Sequence, residues 1–347
     1  MERTTCCVVG GGPAGMMLGL LLARAGVEVT VLEKHRDFLR DFRGDTVHPS
    51  TLRLLDELGL GERFARLPSR RLGEMRMLIG DATVVAADFR RLPGRHKYIA
   101  MVPQWDFLDL LASAAAEEPS FTLRMGTPVT GLLTEGGRGR VFARFGGGQA
   151  AVTMDRGDYY QTSYLIAKGR DAELRSNDIQ WLRNRLGGLF GWDGGVTEAI
   201  RSWDDVKLLD VTMGRLPRWY ADGLLCIGDA AHVMSPVGGV GVNLAVQDAV
   251  AAARILARPL RRGTVGVRDL ARVRRRRWLP MAVTQKSQRG EHEMLLRPAL
   301  DGTLSGDRLP VPLRLLRRIP ALRAVTAYVG GVGVRPEHAP PFARARR

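Results

Sequence analysis

With 347 residues, 45% of them hydrophobic and 25% charged, the chain is long enough for a large core and two intimately packed domains, which excludes a disordered segment or a small stapled scaffold. Its net charge of +16 rests on 52 basic residues, only five of them lysine, and the excess gathers late, at 272–277, 314–323 and 344–347. A nucleic-acid surface would interleave aromatic residues with the arginines or present a known module. Neither is seen, so solvated basic helix faces are expected, with weak attraction to an anionic membrane surface as the alternative.

No apolar run reaches membrane-spanning length, because the longest, residues 8–25, is punctured by glycines and Pro13. The chain enters a strand directly from its first residues, so no signal peptide is expected. Cys6, Cys7 and Cys226 sit in apolar strand-like runs without metal or disulfide spacing. They read as small buried hydrophobes in a reducing, cytoplasmic compartment, and no metal site is expected.

The first element is a short apolar strand, residues 6–9, that breaks into Gly10-x-Gly12-x-x-Gly15 and continues at once as an apolar helix containing Pro13 and Ala14. Each glycine has its own mechanical role. Gly10 permits the tight turn, Gly12 admits a pyrophosphate close to backbone, and Gly15 lets helix and strand approach. Free N–H groups and the positive end of the helix dipole then face the phosphates. A second strand, 27–32, ends in Glu33, eighteen residues beyond Gly15 and followed by Lys34. An acid there accepts hydrogen bonds from the hydroxyls of an adenosine ribose, so the pattern predicts a dinucleotide site.

Beyond Arg43, residues 49–60 predict a helix, 72–89 a strand pair turning at Gly80-Asp81, and Gln104 opens a helix with a buried apolar stripe. Residues 121–123 and 129–133 predict short strands, and 141–166 a hairpin-like set. Residues 173–189 predict one helix, 203–209 and 224–227 strands, and 244–256 a strong amphipathic helix. The tail past Pro259 predicts helices interrupted by Pro280, Pro298, Pro310, Pro312 and Pro320.

The second informative stretch is Gly228-Asp229-Ala-Ala-His232, then Pro236-x-Gly238-Gly239-x-Gly241-Val242-Asn243-x-Ala245-x-x-Asp248-Ala249. A strand ending at Gly228 puts Asp229 where open α/β sheets bind ligands, and its carboxylate suits a polyol hydroxyl. The glycine loop and helix start that follow turn backbone N–H groups toward the same place. For His232 a backbone-bonded loop histidine is preferred over a general acid or base.

These residues resemble the second flavin fingerprint of the para-hydroxybenzoate hydroxylase-like flavoprotein family, and Gly10, Gly12, Gly15 and Glu33 match its first. The resemblance implies an α/β fold: a Rossmann-like FAD-binding domain, a smaller β-sheet substrate domain and a C-terminal helical segment. It divides the chain into FAD-binding parts 1–71, 98–140 and 215–260, substrate-domain parts 72–97 and 141–214, and a basic helical region 261–347. It further implies that Arg43 lies near the FAD pyrophosphate, that Gln104 touches the ribityl or phosphate region, and that Asp229 binds ribityl oxygen. By the same resemblance Pro236, Gly238, Gly239, Gly241, Val242 and Asn243 flank the isoalloxazine. The implied activity is a monooxygenase reaction in which NADH or NADPH acts as transient reductant and O₂ adds to flavin. The resulting C4a-hydroperoxide would hydroxylate an aromatic or polyketide-like small molecule. Met154, Tyr159, Tyr160 and Gln161 are expected to line the substrate space, and no catalytic residue is singled out.

The family's third element, a strand leading to Asp-Gly with a downstream Ser or Arg, is not found, since Asp193-Gly194, Asp222-Gly223 and Asp301-Gly302 lack its surroundings and Lys168-Gly-Arg-Asp171 is a poor substitute. Loss of that strand would leave a neighbouring strand edge unpaired. The alternatives are therefore a flavin-dependent reductase or dehydrogenase on the same fold, or a catalytically silent FAD-binding relative.

Overall fold

The computed structural model describes residues 4–38, 46–79, 81–127, 140–146, 149–155, 160–166, 169–192, 194–206, 208, 213–235, 239–305 and 309–345. In chain order the elements that build the site are β1 (Cys6–Val9), α1 (Pro13–Arg24), β2 (Val29–Leu32) and α2 (Pro49–Glu57). A hairpin of β3 (Glu74–Ile79) and β4 (Ala82–Asp88) precedes α3 (Gln104–Ala116) and β5 (Phe121–Arg124). Then come β6 (Arg140–Gly146), β7 (Gln149–Asp155), β8 (Tyr160–Leu165) and the long helices α4 (Val240–Arg261) and α5 (Val267–Glu291).

β1, β2 and β5 form a parallel sheet with β2 in the middle, Cys6 beside Val29 and Val29 beside Phe121. α1 is apolar on nearly every side because it is enclosed, and Met16, Met17, Leu20 and Leu21 are wholly buried. α4 packs against α1. By length and hydropathy α4 is the one described helix that would cross a membrane, yet 78% of its apolar window is buried in the fold, so its apolar character serves the core.

Among the described residues no strand pairs with the outer side of β1, where Val9 is 61% exposed. A parallel sheet is normally covered on both faces and paired on both sides of its first strand. The expectation of buried cysteines is corrected: Cys7 is exposed on β1, while Cys6 and Cys226 are half-buried.

The second sheet has the order β8-β7-β6-β3-β4, antiparallel except where β3 runs parallel to β6 with Met77 beside Ala143. Met77, Ile79 and Val84 of its hairpin bury against Leu295, Ala299, Leu304, Leu309 and Leu313, so the C-terminal helices roof this sheet. Tyr159 and the side chains of Met154, Tyr160 and Gln161 lie outside the described residues, as does the strand expected at 129–133.

Four local expectations change. The single helix expected at 173–189 is two, Asp171–Arg175 and Ile179–Phe190, because Ser176 and Asn177 side chains bond back to the Glu173 carbonyl and Asp178 caps the Trp181 N–H at 2.8 Å. Trp203–Asp205 is a 3₁₀ turn rather than a strand, held by a capping box between Ser202 and Asp205. The strand expected at 224–227 is only Leu224–Leu225, paired with Tyr220–Ala221 in its own hairpin and not with β1. Pro280 lies inside α5 without ending it: the ring is buried in the core and Thr284 Oγ1 donates to its carbonyl at 2.9 Å.

Candidate functional site

The first glycine turn is built from the end of β1. Gly10 has φ +100° and donates to the Leu32 carbonyl at 2.8 Å, tying the turn to β2. Gly12 caps α1 and Pro13 takes the first helical position, where its missing N–H costs nothing. A Cβ on Gly15 would lie 1.9 Å from the Gly10 carbonyl oxygen, so only glycine fits between helix and turn. A Cβ on Gly12 would meet nothing within 4 Å. Gly12 therefore borders open space, the kind of cradle into which a pyrophosphate fits against backbone.

Glu33 is 2% exposed, and its carboxylate accepts from the Gly11 N–H at 2.8 Å and the His35 N–H at 3.0 Å. The acid assigned to ribose binding thus also holds the glycine turn against the end of β2. Lys34 follows half-buried, and Gln104 opens α3 at 8% exposure behind Pro103. Arg43, Pro236 and Gly238 lie outside the described residues.

The second fingerprint meets the first directly. Gly228–Ala230 is a single 3₁₀ turn instead of the end of a strand, and Gly228 wedges between two helices: a Cβ there would lie 3.2 Å from Ala245 Cβ and 3.3 Å from Ala14 Cβ. Asp229 is exposed on this turn, next to the start of α1. Gly239 caps α4 with φ +62°, and Gly241, Val242 and Asn243 occupy the helix's first turn. Asn243 is not a cap. Its Oδ1 accepts from Ser50 Oγ at 2.8 Å and Thr51 Oγ1 at 2.7 Å, while Thr46 Oγ1 donates to the Gly239 carbonyl at 2.9 Å.

Behind the turn lies a buried ionic cluster that sequence reasoning misses. His232 does not bond to backbone. Its Nε2 lies 2.6 Å from Asp248 Oδ2, the same oxygen that accepts from the Gly228 N–H at 3.2 Å, and Arg277 Nε donates to Asp248 Oδ1 at 2.8 Å. Burial would raise the Asp248 pKa, but His232 and Arg277 more than offset it and hold the carboxyl below its usual range. Arg276 pairs with the buried Glu337 through two hydrogen bonds at 2.6 and 2.9 Å, so part of the arginine run expected on solvated faces is internal. Just ahead of Pro236, the Gln288 amide accepts from the Ser235 N–H at 3.1 Å and donates to its carbonyl at 2.8 Å. Asp248 belongs to the second fingerprint, while for Arg276, Arg277, Gln288 and Glu337 the sequence carries no signal beyond their polar character.

The arrangement fits an FAD. Gly12 borders open space with Glu33 bonded to its turn, and the turn that carries Asp229 packs between Ala14 and Ala245. Among the described residues no cluster of histidine, cysteine and acidic side chains is arranged to hold a metal ion.

Comparison with known proteins agrees with this reading. The chain matches the FAD binding domain family over residues 3–156 and 156–287. It is 33% identical over 383 residues to the 6-methylpretetramide 4-monooxygenase of Streptomyces rimosus, a match covering 93% of this chain and 91% of that protein. It is 37% identical over 324 residues to a 12-dehydrotetracycline 5-monooxygenase/anhydrotetracycline 6-monooxygenase from the same species, covering 72% of this chain and 61% of that one. In fold it is similar to the P. aeruginosa PqsL crystal structure in complex with 2-aminobenzoylacetate, with TM-score 0.69, 18% identity, and coverage of 87% of this chain and 98% of that chain. The chain belongs to the FAD binding domain family and, with these relatives, to the para-hydroxybenzoate hydroxylase-like flavin-dependent monooxygenases.

Proposed function

We propose that this monooxygenase hydroxylates a polycyclic aromatic or polyketide-like small molecule, using NADH or NADPH as a transient reductant and O₂ as the oxygen source. The observation that supports this reading is the wedge of Gly228 between Ala14 and Ala245, which packs the two fingerprints against each other. The balance is substrate C–H, O₂, NAD(P)H and one proton giving substrate C–OH, water and NAD(P)⁺. Bound FAD supplies the hydride acceptance and oxygen activation for that exchange.

The chain's own groups do the rest. The turn at residues 10–15 holds the pyrophosphate with backbone N–H groups, Glu33 receives the ribose hydroxyls, and Asp229 receives a ribityl hydroxyl. The first turn of α4 stabilises negative charge on the ring with N–H groups and the helix dipole. Nicotinamide binds without a fingerprint of its own, since the one Gly-x-Gly-x-x-Gly belongs to FAD. The substrate lies between the second glycine loop and the second sheet, shielded from water by the C-terminal roof. The substrate class is drawn from the relatives named above, 6-methylpretetramide and anhydrotetracycline being the molecules in their names.

A second reading rests on the outer edge of β1, which no strand among the described residues pairs: a family member that binds FAD without turning over. The test is the visible spectrum of the purified protein, followed by NAD(P)H oxidation and O₂ uptake with and without anhydrotetracycline. A flavin spectrum with substrate-stimulated oxidation supports the proposal. A flavin spectrum with no oxidation supports the silent reading, and a protein that takes up no FAD sinks both.

A further inference from the structure

Residues 46–51 touch the second fingerprint at three points, and none of these contacts is legible in the sequence. Thr46 holds the Gly239 carbonyl, and Ser50 and Thr51 both reach Asn243. The Asn243 contacts are dry: Ser50 is 1% exposed, Thr51 is buried completely and Asn243 is 6% exposed. A carboxamide oxygen has two lone pairs, and here each accepts a hydroxyl proton. The competing acceptor for the Ser50 proton, the Gly331 carbonyl, is farther away at 3.3 Å.

Two donors converging on Oδ1 decide which way the amide faces. The oxygen turns toward α2, and the Nδ2–H₂ pair points away from it. Asn243 lies one turn inside α4, so these N–H donors add to the positive end of the helix. The donor pair is thereby turned toward whatever acceptor a ligand offers on that side.

We infer that Ser50 and Thr51 are positioning residues: they lock Asn243 as a hydrogen-bond donor to the ring of the bound flavin and so favour the reduced, more negative form. The inference rests on the FAD reading above. It assigns the bias between oxidised and reduced cofactor to two hydroxyls on α2, an element outside both fingerprints.

The test uses the FAD-loaded protein and reads cofactor affinity by fluorescence quenching, the flavin absorption bands, and the reduction potential against a reference dye. The Ser50→Ala/Thr51→Val double variant is expected to lose about tenfold in the preference for reduced over oxidised FAD, which is about 30 mV for a two-electron couple. Thr51→Ser keeps the proton and is expected to retain the wild-type potential and bands. A double variant with unchanged potential and spectrum overturns the inference, as does an equal shift in Thr51→Ser and Thr51→Val. If the double variant does not fold, Asn243→Leu removes the donors without adding a charge, and an unchanged potential there overturns it equally. A wild-type protein that takes up no FAD removes the proposed function as well, whereas FAD-binding wild type with unshifted variants removes only the role of the two hydroxyls.

Discussion

His232 Nε2 lies 2.6 Å from Asp248 Oδ2, with both side chains sealed from solvent and Arg277 on the other carboxylate oxygen. The shared carboxylate also receives the Gly228 N–H, so one acid holds the turn that carries Asp229 and neutralises a buried guanidinium. Removing it leaves the buried Arg277 with Glu337, 3.9 Å from its Nη1, as its remaining counter-charge, and breaking a buried pair in this way costs about 3–5 kcal/mol. Asp248→Ala is therefore expected to lower stability in urea unfolding by that amount and to weaken FAD binding. Because the native pKa is depressed, this carboxylate's contribution is present at neutral pH and is lost as pH falls through its native value. A variant as stable as wild type at pH 7 would show that the cluster is dispensable.

Two glycines in the first turn make opposite demands. Gly15→Ala puts a methyl 1.9 Å from the Gly10 carbonyl oxygen, and overpacking of this kind costs about 1–3 kcal/mol or more. Gly12→Ala meets no protein atom within 4 Å. Thermal denaturation without added FAD should thus show Gly15→Ala destabilised and Gly12→Ala near wild type. FAD titration should show both impaired, Gly12→Ala because its methyl fills the cradle.

His48 is buried at the start of α2, its Nδ1 2.9 Å from the Gly330 carbonyl. Burial lowers its pKa from 6.5 to about 4, against the opposing pull of the Gly330 and Gly239 carbonyls. The unfolded chain then binds a proton between pH 6.5 and about 4 that the native state refuses, so stability falls as pH drops through this window. Between pH 7.5 and 4.5 wild type should lose about 2–3 kcal/mol more than His48→Asn, measured by urea unfolding at both values. Parallel losses in the two proteins would remove His48 from the account.

The outer side of β1, which no strand among the described residues pairs, has a chemical reporter. Cys7 is exposed there, while Cys6 is half-buried and its thiol is pushed up to about 11 by burial and by its neighbour Cys7. Alkylation at pH 7.5 followed by peptide mass analysis should label Cys7 well before Cys6, because the thiolate is the reactive form. Protection of Cys7 in the purified protein would mean that something covers that edge.

Much of the cofactor site is legible in the sequence because it is local. Gly10, Gly12 and Gly15 act within a single turn, and Gly228 and Gly239 mark backbone shapes that short-range sequence announces. Pairing across distance is not legible. Spacing points His232 to a backbone partner, because Asp248, sixteen residues on, and Arg277, later still, become its neighbours only when α4 and α5 pack. An unbroken helix over 173–189 follows from an apolar rhythm that continues through Ser176, Asn177 and Asp178, whose side chains bond locally and stop it.

The amino-acid sequence by itself determined that this protein presents two glycine turns, an acid after each, and apolar helices to carry them, since those properties depend on backbone freedom and side-chain spacing over a few residues. Only the tertiary structure decided that Gly228 sits against Ala14, that Ser50 and Thr51 meet at Asn243, and that His232 and Arg277 share Asp248. Those outcomes depend on which buried surfaces meet, and burial couples residues that spacing along the chain leaves unrelated.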